Sequence, residues 1–422
     1  AAEPHVAINP VDPSHIVAGA ADYGNPLGGP WCGAYVSRDG GATWTRNLLP
    51  GFPGDTRPPE GRPLVDNLYG FGYCGDSVLA FSPDGATVYY AGIAFHPPPL
   101  YNVALFVARS TDGGDTWEDV TILNYGASTV VFNDKEWLVV DPDSGNLYMT
   151  WTLFSLPPAE VPTVLESRGP IQFTSSTDGG RTWTRPVLLS RTEFNQGSVP
   201  VVLPGGAIGV QWIEYPDGGE NPNLVFARSD DAGATWTEPV VVATTVPVPA
   251  KLPNGNFRTP TLPALAADRS NGTTSGYLYS VWQDYARNHS DVLVSVSRDG
   301  GATWSPGLPV HNATDGTDQF FPWVTVDGRG VVHVAYMDRS ADPENTRFGA
   351  AIATSLDGGL TWTTRRVSDA DSNPEGGTAF LGDYVGLTSD AAGNVVFVWP
   401  DLRHTEPTAS QRVDLFAARL AP

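Results

Sequence analysis

The amino-acid sequence predicts an all-β protein made of repeated four-stranded units, and three observations lead to this prediction. An octamer of the form S-x-D-x-G-x-T-W occurs six times, at intervals of 53 to 73 residues. Short apolar runs typical of strands flank each copy, such as ALFVAR before the second one. Helical periodicity is hard to find anywhere in the chain. The repeat therefore organises the whole sequence.

Each octamer is predicted to be the turn of a β-hairpin, because strand-like runs lie on both sides of it. Two more apolar runs precede each hairpin, as in SVLAFSPDGATVYYAGIAF, so a unit has four strands, named a to d. The octamers join strand c to strand d and begin at Ser37, Ser110, Ser176, Ser229, Ser297 and Ser355.

Seven units are predicted in one all-β domain over residues 1–422, with six as the alternative if the first or last unit is irregular. The last unit has no octamer and lacks a fourth strand. Closed propellers are often sealed by strands from both chain ends, so residues 1–4 or a segment before Ala1 are expected to complete it. The units span approximately residues 1–52, 70–125, 133–190, 195–245, 257–312, 317–370 and 380–422.

Composition excludes several classes of partner. The formal net charge is -22, whereas nucleic acids and anionic membrane surfaces bind basic patches. No apolar run reaches the roughly 18 to 20 residues that a membrane span needs. We therefore expect neither nucleic acid nor membrane insertion, and we expect a monomer.

The two cysteines suit one disulfide in an exported protein and are too few for a zinc cluster. Cys32 lies in GPWCGAY and Cys74 in GYCGDS, and two free buried thiols are the alternative. A start at AAEPHV without Met looks like a mature or trimmed N-terminus. We expect an extracellular, bacterial protein.

The six octamers resemble the Asp boxes (bacterial neuraminidase repeats) of the sialidase-like β-propeller superfamily. The resemblance implies a propeller in which each box is the turn between the third and fourth strands of a blade. Physical chemistry explains the letters in the first copy: Asp39 accepts hydrogen bonds from turn amides, Gly41 adopts a positive φ, and Trp44 buries a large surface. The boxes are therefore expected to be structural.

Function is expected on the face opposite the boxes, because strand direction alternates within a blade. The connections that enter strand a and those that leave strand b share that face, and acidic, aromatic and arginine residues recur there. Carboxylates in a cleft can act as general acid and base, while aromatic and arginine side chains hold a sugar. The alternative is that these acids bridge neighbouring blades. The predicted catalytic residues are Glu136, Glu214, Asp284, Asp383 and Tyr384, and the predicted substrate-binding residues are Asp76, Arg258, Tyr285, Asp338, Arg339 and Arg403.

Strict exo-sialidase activity is not expected. The resemblance implies an early Arg-Ile-Pro-like motif, but the first unit reads EPHVAINP and has no arginine before Arg38. The nearest match, NFRTPTLPALAAD at Arg258, requires a shifted blade order. On that alignment the resemblance implies a clamp of Arg258, Arg339 and Arg403, with Asp284 or Asp291 as acid/base and Tyr384 with Glu136 or Glu214 as the nucleophile pair.

No required cofactor is predicted. The chain has no H-E-x-x-H pair, no G-x-S-x-G elbow and no phosphate loop, which disfavours zinc and serine hydrolases. A structural calcium at Asp76 and Asp383 is one interpretation of their oxygen-rich loops, and capping of strand a is the other. Two functions remain: an extracellular glycan hydrolase, or a non-catalytic propeller that binds carbohydrate, cell wall or protein.

Overall fold

A computed structural model describes the protein at residues 1–25, 29–56, 67–96, 103–117, 119–125, 131–155, 169–216, 221–311, 316–374, 380–404 and 413–422. These residues form strands and no helix. Accordingly, no described helix is long and apolar enough to cross a membrane.

The strands form seven antiparallel sheets in chain order, six with four strands and the last with three. They are the blades of a seven-bladed β-propeller, which confirms the predicted fold class. Blade 1 contains β1 (Ala2–Ile8), β2 (Ile16–Asp22), β3 (Trp31–Ser37) and β4 (Thr45–Leu48). Blade 2 contains β5 (Tyr73–Phe81), β6 (Val88–Phe95), β7 (Val103–Ser110) and β8 (Asp119–Tyr125). Blade 3 contains β9 (Val131–Val140), β10 (Leu147–Ser155), β11 (Ile171–Ser176) and β12 (Val187–Leu188).

The other four blades follow the same order. Blade 4 contains β13 (Asn195–Val202), β14 (Ile208–Glu214), β15 (Asn223–Ser229) and β16 (Val240–Thr244). Blade 5 contains β17 (Ala264–Ala267), β18 (Leu278–Asp284), β19 (Asp291–Ser297) and β20 (Leu308–Pro309). Blade 6 contains β21 (Gln319–Val326), β22 (Val332–Asp338), β23 (Gly349–Ser355) and β24 (Thr363–Arg366), and blade 7 contains β25 (Gly386–Ser389), β26 (Val395–Asp401) and β27 (Asp414–Leu420).

The chain divides into two compact units. The first consists of Ala1, His5–Pro200 and Asp231–Trp236, and the second of Ala2–Pro4, Val201–Asp230 and Thr237–Pro422.

Residues 1–4 were one candidate for completing the last blade, but residues 2–4 belong to β1 of the first blade. Blade 7 has three strands among the described residues.

The octamers are the turns between strands c and d, as predicted. In blade 2, Asp112 accepts hydrogen bonds from the Ser110 hydroxyl at 2.7 Å, the Thr116 amide at 2.9 Å and the Thr116 hydroxyl at 2.6 Å. The indole of Trp117 donates to the Gly114 carbonyl at 3.1 Å. Side chains thereby satisfy the polar groups of a turn that has few backbone hydrogen bonds of its own.

The box tryptophans are less uniformly buried than their size suggests. Trp117 is 2% exposed and packs edge-on against Tyr90, with ring centroids 5.4 Å apart. The five others are half-buried: Trp44, Trp183, Trp236, Trp304 and Trp362.

Strand register places the boxes and the entrances of strand a at opposite edges of a blade. In blade 2, the box serine Ser110 pairs with Val88 at the beginning of β6. Tyr73, at the entrance of β5, pairs with Phe95 at the other end of β6. The predicted separation of boxes and strand entrances therefore holds within this blade.

The predicted disulfide is present. It joins Cys32 of β3 to Cys74 of β5, with Cα atoms 5.0 Å apart, within the usual range for a disulfide. Both cysteines are 0% exposed and lie in the apolar core between blades 1 and 2. The disulfide therefore links these two blades, and its Cys74 lies two residues before Asp76 in β5.

Candidate functional site

The first strand of blade 2 has a β-bulge at its entrance. The pairing of β5 with β6 moves from Gly75 opposite Ile93 to Val78 opposite Ala91, so Asp76 and Ser77 face a single residue of β6. Asp76 has a φ of 54°, in the left-handed region. Bulges re-aim side chains and are frequent next to active sites.

The same bulge recurs in blades 3 and 6. In β9 it contains Lys135, with a φ of 51°, and Glu136. In β21 it contains Phe321, with a φ of 52°, and Pro322. A positive φ is unfavourable for side chains of this size and persists only where the surrounding structure enforces it. Three blades therefore hold strained residues at one register.

The bulges of blades 2 and 3 bring together a group of charged residues, which we call the bulge cluster: Asp76, Asp134, Lys135 and Glu136. The ammonium of Lys135 lies 3.5 Å from Oδ2 of Asp76, and both residues are 8% exposed. Nε2 of Gln196 donates to Oδ2 of Asp134 at 2.7 Å. Both aspartates therefore have positively charged or N–H partners.

Glu136 differs from its neighbours. It is 1% exposed, and neither of its carboxyl oxygens has a hydrogen-bond partner among the described residues. Burial raises its pKa well above the ordinary value, and the negative charges of Asp76 and Asp134 raise it further, while Lys135 opposes them. Glu136 therefore holds its proton to higher pH than an ordinary glutamate does.

This arrangement can perform acid–base chemistry. A carboxylic acid that keeps its proton beside charged carboxylates is the combination that separates a general acid from a general base. Of the predicted residues, the structure brings Glu136 and Asp76 into one cluster.

Arg258 and Asp383 also meet, although they are 125 residues apart in sequence. The guanidinium donates through Nε and Nη2 to the two carboxylate oxygens, each at 2.6 Å. Its Nη2 lies 3.9 Å from Oε1 of Glu3, and its Cζ lies 4.7 Å from the ring centroid of Phe380. The Arg258 side chain is 53% exposed, whereas Tyr384 is 5% exposed. Arg258 is therefore a fixed but accessible cation.

The other two arginines of the predicted clamp have partners of their own. Arg339 is 0% exposed, and its Nη1 donates to the Pro253 carbonyl at 2.8 Å and to Asp318 at 3.1 Å. Arg403 donates to Asp401 at 2.8 Å, and its side chain is 10% exposed. Each of the three arginines thus pairs with a different aspartate, and no described contact joins them.

Asp284 has the environment of a strand cap. Its carboxylate accepts hydrogen bonds from the Thr245 hydroxyl at 2.9 Å, the Val246 amide at 3.0 Å and the Ala286 amide at 2.9 Å. These contacts match the structural alternative that the sequence left open.

The remaining predicted residues lie at or just after the end of strand b in blades 4 to 6. Asp338 accepts hydrogen bonds from the Ser340 amide and hydroxyl at 3.0 and 2.6 Å. Glu214 and Tyr285 are half-buried, and burial raises the pKa of Tyr285. Neither is in the bulge cluster.

The predicted calcium ligands both contact cationic side chains, Asp76 with Lys135 and Asp383 with Arg258. A calcium ion at either carboxylate would have to displace that side chain. Over the described ranges, no group of three or more His, Cys, Asp or Glu residues is arranged to hold a metal ion. Calcium binding stays a prediction.

Sequence reasoning did not single out Lys135. The signal that could have identified it is compositional, because Lys135 and Lys251 are the only lysines beside 22 arginines. An arginine suits a bidentate pair, whereas a lysine is a compact point charge.

The turn geometry and the blade order agree with comparisons to known proteins. The family model of the BNR/Asp-box repeat matches residues 35–46, the first octamer and its flanks. The first octamer is therefore an Asp-box repeat. No curated protein is significantly similar to it in sequence.

Solved structures share the propeller fold. The Hadza microbial sialidase Hz136 superposes with a TM-score of 0.52 and 17% identity, over 94% of this chain and 74% of that one. The GH93 α-L-arabinofuranosidase of Fusarium graminearum, in complex with arabinobiose, gives 0.52 and 16%, over 82% and 92%. A protein of unknown function from Dyadobacter fermentans gives 0.50 and 18%, over 80% and 90%. At these identities the similarity concerns the fold alone.

Proposed function

We propose that this protein is an extracellular glycan hydrolase in which Glu136 is the general acid. The observation that carries the proposal is the environment of Glu136, a buried carboxyl without hydrogen-bond partners among the described residues, beside the charged Asp76 and Asp134. The choice of a glycan as substrate class is supported by the propeller fold, which a sialidase and an α-L-arabinofuranosidase share.

Glycoside hydrolysis needs an acid that protonates the leaving oxygen and a carboxylate that acts on the sugar or on water. Glu136 supplies the proton, because its raised pKa keeps it protonated at a pH where an ordinary glutamate is ionised. Asp76 supplies the carboxylate, and the ammonium of Lys135 at 3.5 Å balances its charge. The acid and the carboxylate therefore come from two different bulges, Glu136 from β9 and Asp76 from β5.

Access to the acid is part of the proposal. Glu136 is 1% exposed in the unliganded structure, whereas Asp76 and Lys135 are each 8% exposed. Glycan binding therefore includes a rearrangement of the side chains around Glu136. Hydrogen bonds at catalytic groups often align only in the substrate complex.

Location outside the cell is supported by the disulfide between Cys32 and Cys74, since such bonds persist in oxidising compartments. The substrate would then be an extracellular polysaccharide or glycoconjugate.

The test is a screen of chromogenic glycosides and polysaccharides with the unmodified protein, Glu136→Gln and Asp76→Asn. Loss of Glu136 or Asp76 is expected to lower turnover by about 100-fold or more, the range of general acid–base catalysis. Glu214→Gln tests the other predicted catalytic glutamate, and Glu344→Gln is an exposed control. Turnover that survives in Glu136→Gln would refute its role as the acid.

A non-catalytic sugar-binding propeller is the second candidate. It is favoured by the pairing of the three predicted arginines with separate aspartates, which fits a structural role for them. Retained glycan binding without turnover of any substrate would support this candidate and exclude the hydrolase.

A further inference from the structure

A cavity of about 510 Å³ lies at the box edge of blades 2 and 3. Its walls include Tyr89, Arg109, Thr111, Asp119 and Arg181. Arg109 pairs with Tyr89 near the beginning of β6, away from the end that pairs with the Asp76 bulge. The cavity is therefore separate from the bulge cluster, and its size is typical of small-molecule sites.

A buried arginine, Arg109, forms part of the cavity wall and is held in place by its hydrogen bonds. Arg109 is 6% exposed and contacts Asp119 through Nε at 2.8 Å and through Nη2 at 2.6 Å. Its Nη1 donates to the Gly180 carbonyl in the box of blade 3 at 2.5 Å. These bonds hold the box of blade 3 against blade 2 and so fix this wall of the cavity.

A tyrosine hydroxyl is one of the hydrogen-bonding groups of this cavity. Tyr89 is 5% exposed and forms part of the cavity wall. Burial raises its pKa, while the charges of Arg109 and Arg181 oppose that rise. A phenolic hydroxyl both donates and accepts hydrogen bonds, so Tyr89 offers a polar contact to a ligand in the cavity.

Charge selects the class of ligand. The walls carry two guanidinium groups against one carboxylate, in a protein whose net charge is -22. Arg181 is exposed, and its Nη1 donates to the Asp178 carbonyl at 3.0 Å. Arginine is well suited to carboxylate and sulfate groups, which it binds with paired hydrogen bonds.

We propose that this cavity binds an acidic sugar unit, whose carboxylate or sulfate meets Arg181 and whose hydroxyls meet Tyr89, Thr111 and Asp119. This second site lies at the edge opposite the bulge cluster and is independent of the proposed hydrolysis. It would tether an acidic glycan chain to the protein.

The test is isothermal titration calorimetry with trigalacturonate at low ionic strength, in the Glu136→Gln background so that no turnover interferes. Arg181→Ala is expected to weaken binding by about 10-fold or more, the range for a hydrogen bond to a charged group. Tyr89→Phe, which removes only the hydroxyl, is expected to weaken it by about 2- to 10-fold. Arg185→Ala, an exposed arginine of blade 3 outside the cavity walls, is the control and is expected to leave binding unchanged.

Two further titrations, with maltotriose and with sodium sulfate, separate the alternatives. Binding of trigalacturonate but not of maltotriose or sodium sulfate at the same concentration supports an acidic-sugar site. Equal binding of maltotriose, or of sulfate alone, overturns the proposal, as does an absence of trigalacturonate binding. An equal loss in Arg181→Ala and Arg185→Ala would also overturn it, because the effect would then be one of net charge.

Discussion

Replacement of Glu136 by Gln is expected to make the protein more stable at alkaline pH while removing the proposed activity. A group whose folded pKa is raised contributes stability that is fully present below the unfolded pKa and is lost as pH rises through the folded pKa. Glu136 is such a group, because burial and the charges of Asp76 and Asp134 raise its pKa well above the ordinary value. The neutral amide of Gln has no such pH dependence.

The magnitude follows from linkage. Between the unfolded and folded pKa values of Glu136, the free energy of unfolding falls by about 1.4 kcal/mol for each pH unit. An entropy of unfolding of about 2.1 cal/mol/K per residue converts this to about 1.5 °C in Tm per pH unit for a chain of this length. At pH 5 the two proteins should have similar Tm values. With each further pH unit, the Tm of the variant should rise relative to that of the parent until the folded pKa of Glu136 is passed.

The assay is differential scanning calorimetry of both proteins from pH 5 to 9, with Glu344→Gln as the matched exposed control. The difference in Tm between Glu136→Gln and the parent should grow with pH, whereas that of the control should stay constant. A constant or shrinking difference would refute the claim that Glu136 is held protonated by its surroundings.

Three further predictions follow from other features of the structure. Lys135→Met removes a positive charge that lowers the pKa of Glu136. The alkaline limb of the pH–rate profile of glycan hydrolysis should therefore move to higher pH, whereas Lys135→Arg, which keeps the charge, should leave it in place. A shift to lower pH in Lys135→Met would contradict this. The disulfide between Cys32 and Cys74 closes a separation of 42 residues. Its loss in the double variant Cys32→Ala/Cys74→Ala should lower the free energy of unfolding by about 4 kcal/mol and the Tm in calorimetry by about 4–5 °C. An unchanged Tm would show that blades 1 and 2 do not need the bond. Asp178→Ala in the third box should lower Tm at neutral pH but not turnover at 25 °C, and because hydrogen bonds hold the pKa of Asp178 below its ordinary value, the gap in Tm should close as pH falls below about 4.

The fold was predictable because its repeat is local. The Asp-box octamer carries its own hydrogen-bond partners, such as Asp112 with Ser110 and Thr116, so eight letters are enough to identify the turn. The flanking apolar runs then supply four strands per unit, and the cysteine pair follows from composition. The completion of the last blade was predicted to come from residues 1–4 or from a segment before Ala1, and residues 2–4 belong to β1 instead.

The bulges were not predictable from the sequence. A left-handed residue is usually signalled by glycine, but here Asp76, Lys135 and Phe321 adopt a positive φ. Tertiary context therefore overrides the local preference of these residues. The sequence could place Asp76 and Glu136 at entrances of strand a, but it could not show that Lys135 lies against Asp76.

Long-range ion pairs were equally hidden. Arg258 was predicted from a motif-like stretch and Asp383 from its position before strand a, and the structure shows that they bind each other across 125 residues. The choice between a substrate-binding and a structural arginine depends on such partners, which sequence spacing does not reveal. Arg339 illustrates this, because it is 0% exposed.

The central claim concerns the protonation of Glu136, and its most direct test is a pH titration of that carboxyl by carbon-13 NMR. Protein labelled at the glutamate side-chain carbonyl would be titrated beside Glu136→Gln, which assigns the signal. We predict a pKa well above the ordinary value for glutamate, and a lower pKa in Asp76→Asn because the nearby negative charge is gone. A pKa at or below the ordinary value in the unmodified protein would contradict the assignment of Glu136 as the acid.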